Sequence, residues 1–297
     1  MTSPSDGASS TPDTCQGLLI PSIWAYRSLS LIGDYDNLPT PFGEEPIFEG
    51  DPSIPDVQRR YGNQVPGVAG SLLRPDEAES AIIDLGTLLE QALSAKNAPT
   101  HVIVNLPGGA ASTVDPLAAD LISPLAAALD LEIVTVFLIG PELESAQIAK
   151  QSLTEGVAGI SNRKIAVANL KMGDPSRFAW TTSNERKIWL AAGGTENALP
   201  ALTARVMDKV RDLPGSFSGF EVGQTGDLSI VERSVIHRWR VAADPLCRAA
   251  CGGEKPKLVF VHGEKGGVGK SVCSMLLIDH LLHPVEAVED TKNEAEK

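Results

Sequence analysis

The stretch VFVHGEKGGVGKSV, residues 259–272, holds the residue types and spacing best suited to chemistry. A phosphate chain needs many donors converging on it. Glycines let backbone N–H groups converge without side-chain collision, and a helix N-terminus adds a partial positive charge. Gly266, Gly267 and Gly269 suit that role, with the backbone of Glu264 and Val268 completing the loop. Lys270 would reach the terminal phosphates, and the Ser271 hydroxyl would ligate Mg²⁺. The usual spacing of a glycine, four residues and then Gly-Lys-Ser is not met, because Glu264 stands at the first glycine position. A flexible structural turn is the alternative reading of the same glycines.

Two further groups stand out. Arg233, His237 and Arg240 are spaced i, i+4 and i+7, with Arg238 and Arg248 nearby. On a helix they would form a patch for weak, nonspecific DNA-backbone contact, or a solvated face. Cys247 and Cys251 sit four apart and read either as reduced thiols or as a metal or cluster ligand pair. His262, just before the loop, reads as strand-end packing.

The elements that must position these residues form a βα alternation. PIFEGD (46–51) is a short strand, and PDVQRRYG (55–62) begins a helix with Pro55 at an early position. Residues 75–96 carry apolar spacing near 3.6 and predict a helix. THVIVNLPGG (100–109) is a β-branched strand entering a turn, and 115–130 is helical with a break at Pro124. Residues 131–140 predict a strand, 141–153 a helix, 163–170 a strand, and 196–213 and 228–250 helices. KPKLVFVHG (255–263) predicts a strand and 270–283 a helix. Continuous apolar strands alternating with helices imply a mostly parallel, doubly wound α/β sheet with helices on both faces. Such sheets bind ligands at the carboxyl ends of their strands.

Residues 1–43 read as a disordered or irregular segment, 44–285 as one phosphate-loop domain, and 286–297 as a charged tail. The net charge of −13 argues against a uniformly basic nucleic-acid coat. Four cysteines are too few and too scattered for a disulfide framework. The apolar stretch 17–33 is interrupted by Pro21, Arg27 and serines, so the expectation is a cytoplasmic chain with no membrane span.

EKGGVGKS (264–271) resembles the deviant phosphate-loop motif of the ParA/MinD family of ATPases. The resemblance implies ATP and Mg²⁺, with Lys265 as the lysine that reaches across a nucleotide-sandwich homodimer. It implies that IFEGDP (47–52) supplies an acidic pair, Glu49 and Asp51, with Asp51 serving the metal or the attacking water. VIVNLPGGAAS (102–112) resembles the second acidic strand of the family, with Asn105 in place of its aspartate. AVANL (166–170) would offer Asn169 to adenine. These motifs stand in rotated order, which looks like a circular permutation, with CGGEKPK (251–257) as a polar joining linker. The segment 44–250 also resembles StbB-like and TraL-like plasmid stability and conjugation proteins.

The resemblance implies a slowly hydrolysing dimeric switch ATPase in plasmid partition or DNA positioning, stimulated by a partner protein. A neutral amide supports Mg²⁺ less well than a carboxylate, so Asn105→Asp is expected to raise hydrolysis. The alternatives are a nucleotide-gated interaction module that scarcely hydrolyses, and a rearranged chain without a working site.

Overall fold

The computed structural model describes residues 46–50, 55–62, 64–65, 67–94, 98–264 and 266–285. All belong to one compact unit spanning Pro39–Lys297. The expectations for residues 1–43 and for the tail 286–297 lie outside the described residues.

Among the described residues seven strands form one sheet: β1 (Ile47–Glu49), β2 (Gly67–Ala69), β3 (His101–Asn105), β4 (Glu132–Ile139), β5 (Arg163–Asn169), β6 (Thr195–Leu199) and β7 (Lys257–His262). Their order is β2-β1-β3-β7-β4-β5-β6, and every pairing is parallel. The last strand in sequence therefore lies in the middle of the sheet. Its neighbours β3 and β4 are fully paired only through it. The β-branched and aromatic runs HVIVN, EIVTVFLI and KLVFVH are buried almost throughout, as strands covered on both faces must be.

Alternate side chains leave the sheet on opposite faces. Ile103, Val134, Val136, Val259 and Val261 enter one core. They pack there with α1 (Asp56–Tyr61), α6 (Ala204–Val210), α7 (Phe217–Val222), α8 (Ile230–Cys251) and α9 (Lys270–Leu282). On the other face Val102, Val104, Leu258 and Phe260 meet α2 (Pro75–Leu93) and α3 (Ser123–Ala128). Phe137, Ile139 and Ala166 on that side meet α4 (Leu143–Glu155) and α5 (Asn184–Ala191). The chain is thus an α/β protein with a doubly wound parallel sheet.

The helix expected over 196–213 is corrected. Its first part is the edge strand β6, and only Ala204–Val210 is helical. Pro200 lies between the two and can continue neither a ladder nor a helix. The break expected at Pro124 is absent: 115–122 form a 3₁₀ and then a π turn that run directly into α3 at Ser123, with the proline in its first turn.

The stretch 251–257 is also not a loose joint. The carbonyls at the end of α8 and in the residues just after it are captured from three strands. His101 Nε2 on β3 donates to the Cys251 carbonyl at 2.7 Å, and Arg163 Nη1 on β5 donates to that of Gly252 at 2.5 Å. Lys257 Nζ on β7 donates to Gly253 and Lys255. Donors at a helix C-terminus satisfy its orphan carbonyls, and the Arg163 charge complements its dipole. They also fix where β7 enters the sheet. Among the described residues no helix is long and apolar enough to cross a membrane.

Candidate functional site

Parallel strands bring their carboxyl ends to one edge. Cross-strand register aligns Glu49 of β1 with Asn105 of β3, and Asn105 with Val261 of β7. Asn169 of β5 is aligned with Leu199 of β6. The glycine loop leaves β7 at this edge and enters α9 at Lys270. Helix α9 is buried on almost every side, through Cys273, Met275, Leu276, Leu277 and Ile278, so its N-terminus is rigidly placed.

The loop needs its glycines. Gly267 and Gly269 have φ of 84° and 102°, where a side chain is strained. A Cβ on Gly269 would also lie 2.5 Å from Asn169 Nδ2. A Cβ on Gly266 or Gly267 would meet nothing within 4 Å, so space lies open over the turn.

Two neighbours hold the loop by its carbonyls. The Gly109 N–H, in the turn after β3, donates to the Glu264 carbonyl at 2.8 Å. Asn169 Nδ2 donates to the Val268 carbonyl at 2.8 Å, while its Oδ1 accepts from the Lys171 N–H at 3.0 Å. Lys270 opens α9 and is only 6% exposed. Burial pushes its ammonium down to about 8, against a smaller opposing pull from Glu264. A cation destabilised by burial at a helix N-terminus, beside open glycines, fits a polyanion. Ser271 follows in the first helical turn and is partly exposed, so its hydroxyl could ligate a cation there.

Behind the loop runs a buried polar chain. Ser274 Oγ on α9 donates to Asn105 Oδ1 at 2.9 Å. Asn105 Nδ2 donates to Glu49 Oε1 at 2.6 Å, and Glu49 Oε2 accepts from the Val57 N–H at 3.2 Å. Burial pushes Glu49 up to about 7, opposed by its hydrogen bonds to Asn105, Val57 and Gln58. The chain ties α9, β3, β1 and α1 together. Ser274 went unnoticed in the sequence; its place one turn beyond Ser271 was the available signal.

The structure thus gathers Glu264, Gly266, Gly267, Val268, Gly269, Lys270 and Ser271 into one loop and joins Asn169 to it. It places Glu49 and Asn105 beneath. Lys265 and Asp51 lie outside the described residues. His262 packs as expected: its ring stacks on Phe137 at 4.7 Å and its Nδ1 accepts from the Gly263 N–H at 2.7 Å.

The basic stripe needs correction. Arg240 is 7% exposed and turned inward, donating to Asp279 at 2.7 Å and to Glu221 at 2.5 Å. His237 is paired with Glu221 at 2.7 Å. Helices α7 and α9 cover part of the face that the spacing suggested was free. Cys247 and Cys251 are buried free thiols, and among the described residues no three ligating side chains converge on a metal position.

Comparison of the chain with protein-family models, with curated proteins and with solved structures gives no match.

Proposed function

We propose that this chain binds Mg-ATP at residues 264–271 and uses it as a slowly hydrolysed switch, of the type that the ParA/MinD resemblance implies. The observation that carries the reading is the loop itself. It joins the central strand β7 to the buried helix α9, is held by its carbonyls at Glu264 and Val268, and ends on the buried Lys270. In this reading the loop N–H groups and Lys270 bind the phosphates, and Ser271 supplies an oxygen to the metal. Bound Mg²⁺ would supply charge neutralisation on those phosphates. The resemblance assigns Lys265 to the partner's site in a homodimer and Asp51 to the metal or water. Plasmid partition or DNA positioning is the role it implies.

Slow turnover follows from Asn105. Its amide carries no charge and is engaged on both sides, by Glu49 and by Ser274. The same observation favours a second reading, a nucleotide-gated interaction module that scarcely hydrolyses. Single-turnover hydrolysis beside a binding titration separates the two.

Calorimetric titration with Mg-ATP tests the core of the proposal. The wild type should bind and Lys270→Ala should not. Equal binding by both, or by neither, overturns it. Light scattering with and without Mg-ATP tests the homodimer, which Lys265→Ala should prevent.

A further inference from the structure

We infer that Asn169 is a positioning residue of the phosphate loop, acting through the Val268 carbonyl. This rests on the nucleotide reading above and deepens it. A trans peptide unit points its C=O and its N–H in opposite directions. Asn169 Nδ2 holds the Val268 carbonyl at 2.8 Å on the β5 side, so the N–H of Gly269, in the same peptide unit, is directed to the opposite side. The contact is close-built: Gly269 has φ of 102°, and a Cβ there would stand 2.5 Å from Nδ2.

The amide is engaged at both ends, through one Nδ2 hydrogen and one Oδ1 lone pair. Nδ2 serves Val268, and Oδ1 caps the turn Leu170–Met172 through the Lys171 N–H at 3.0 Å. Asn169 is 3% exposed. Gly109 plays the matching part at the other end of the loop, by donating to Glu264. The two ties orient the loop before any ligand arrives, which is how anion sites gain strength without reorganisation.

Asn169→Ser separates positioning from base reading: its hydroxyl can cap Lys171, is too short to reach Val268, and adds no charge beside the loop. Calorimetry with ATP, GTP and inorganic tripolyphosphate should show about a tenfold loss for all three alike, the size of one hydrogen bond. Without ligand, amide hydrogen exchange in peptides covering 263–272 should quicken, while 132–139 in β4 stays protected. If the Ser variant does not fold, Asn169→Thr should give the same pattern for the same reason. A loss confined to ATP marks a base reader and overturns the inference. So does unchanged affinity for all three, or unchanged exchange in the loop. Failure of the wild type to bind both ATP and tripolyphosphate overturns the nucleotide reading itself, and this inference with it.

Discussion

Asn105 and Glu49 sit opposite one another on adjacent strands, and the asparagine amide donates to the glutamate carboxyl across 2.6 Å. The residue that stands where the ParA/MinD resemblance implies an aspartate is therefore a structural donor. Asn105→Asp would set two buried carboxyls against each other. It should destabilise the fold by about 1–3 kcal/mol through loss of a buried hydrogen bond. Combining it with Glu49→Gln reverses the direction of donation and should restore most of that stability. Urea unfolding of both variants checks this. The gain in hydrolysis expected of a carboxylate at 105 is best sought in the double variant.

Glu49 also sets a pH dependence. Its folded-state value of about 7 lies above the ordinary 4.5, because it is buried. The folded chain binds the extra proton, so this contribution is fully present below about pH 4.5. It is lost as pH rises through 7, and amounts to roughly 3 kcal/mol over that window. Glu49→Gln should flatten the stability profile between pH 5 and 8. A profile unchanged by the substitution would show that the carboxyl titrates normally.

Lys270 is held down to about 8 by burial, and a bound polyanion would raise it. Binding then favours the protonated form. Affinity for Mg-ATP should hold below pH 8 and decline as pH rises beyond it. A flat calorimetric profile up to pH 9.5 would contradict this.

Arg240 neutralises Asp279, which has no exposed surface. Arg240→Met leaves that carboxylate buried and unpaired and should cost about 3–5 kcal/mol. Arg233→Met, on the same helix but half-buried at the rim, should stay within about 1 kcal/mol. Thermal and urea unfolding distinguish them.

Cys273 has its thiol pushed up to about 12 by complete burial. It should resist iodoacetamide in the native protein at pH 7.5 and react once guanidinium unfolds it. Mass mapping of the labelled peptides gives the answer. Labelling of the native chain at Cys273 would mean that α9 opens readily.

Local chemistry was legible in the sequence, and pairing was not. The β-branched runs of β3, β4, β5 and β7 announced themselves, and the glycine loop did so because its function resides in a few consecutive backbone groups. TENAL lacks that signature: β6 is an edge strand that pairs with β5 alone among the described strands, so little burial pressure shapes it. The register that sets Glu49 against Asn105 is written across 56 residues of separation and appears in neither segment alone. Arg240 misled for a related reason. Helical spacing identified its face, but Glu221 and Asp279, which cover it, come from other helices.

The central position of β7 has a consequence for integrity. Among the described residues the strands β2-β1-β3 and β4-β5-β6 pair only through it. A fragment stopping before Lys257 would hold two three-stranded halves facing a vacant slot about 5 Å from each. It would also lack the entire glycine loop. Cleavage anywhere in 251–257 would separate both the central strand and that loop from the rest of the sheet, so partial products of this chain should be recognisable as defective by their exposed inner edges.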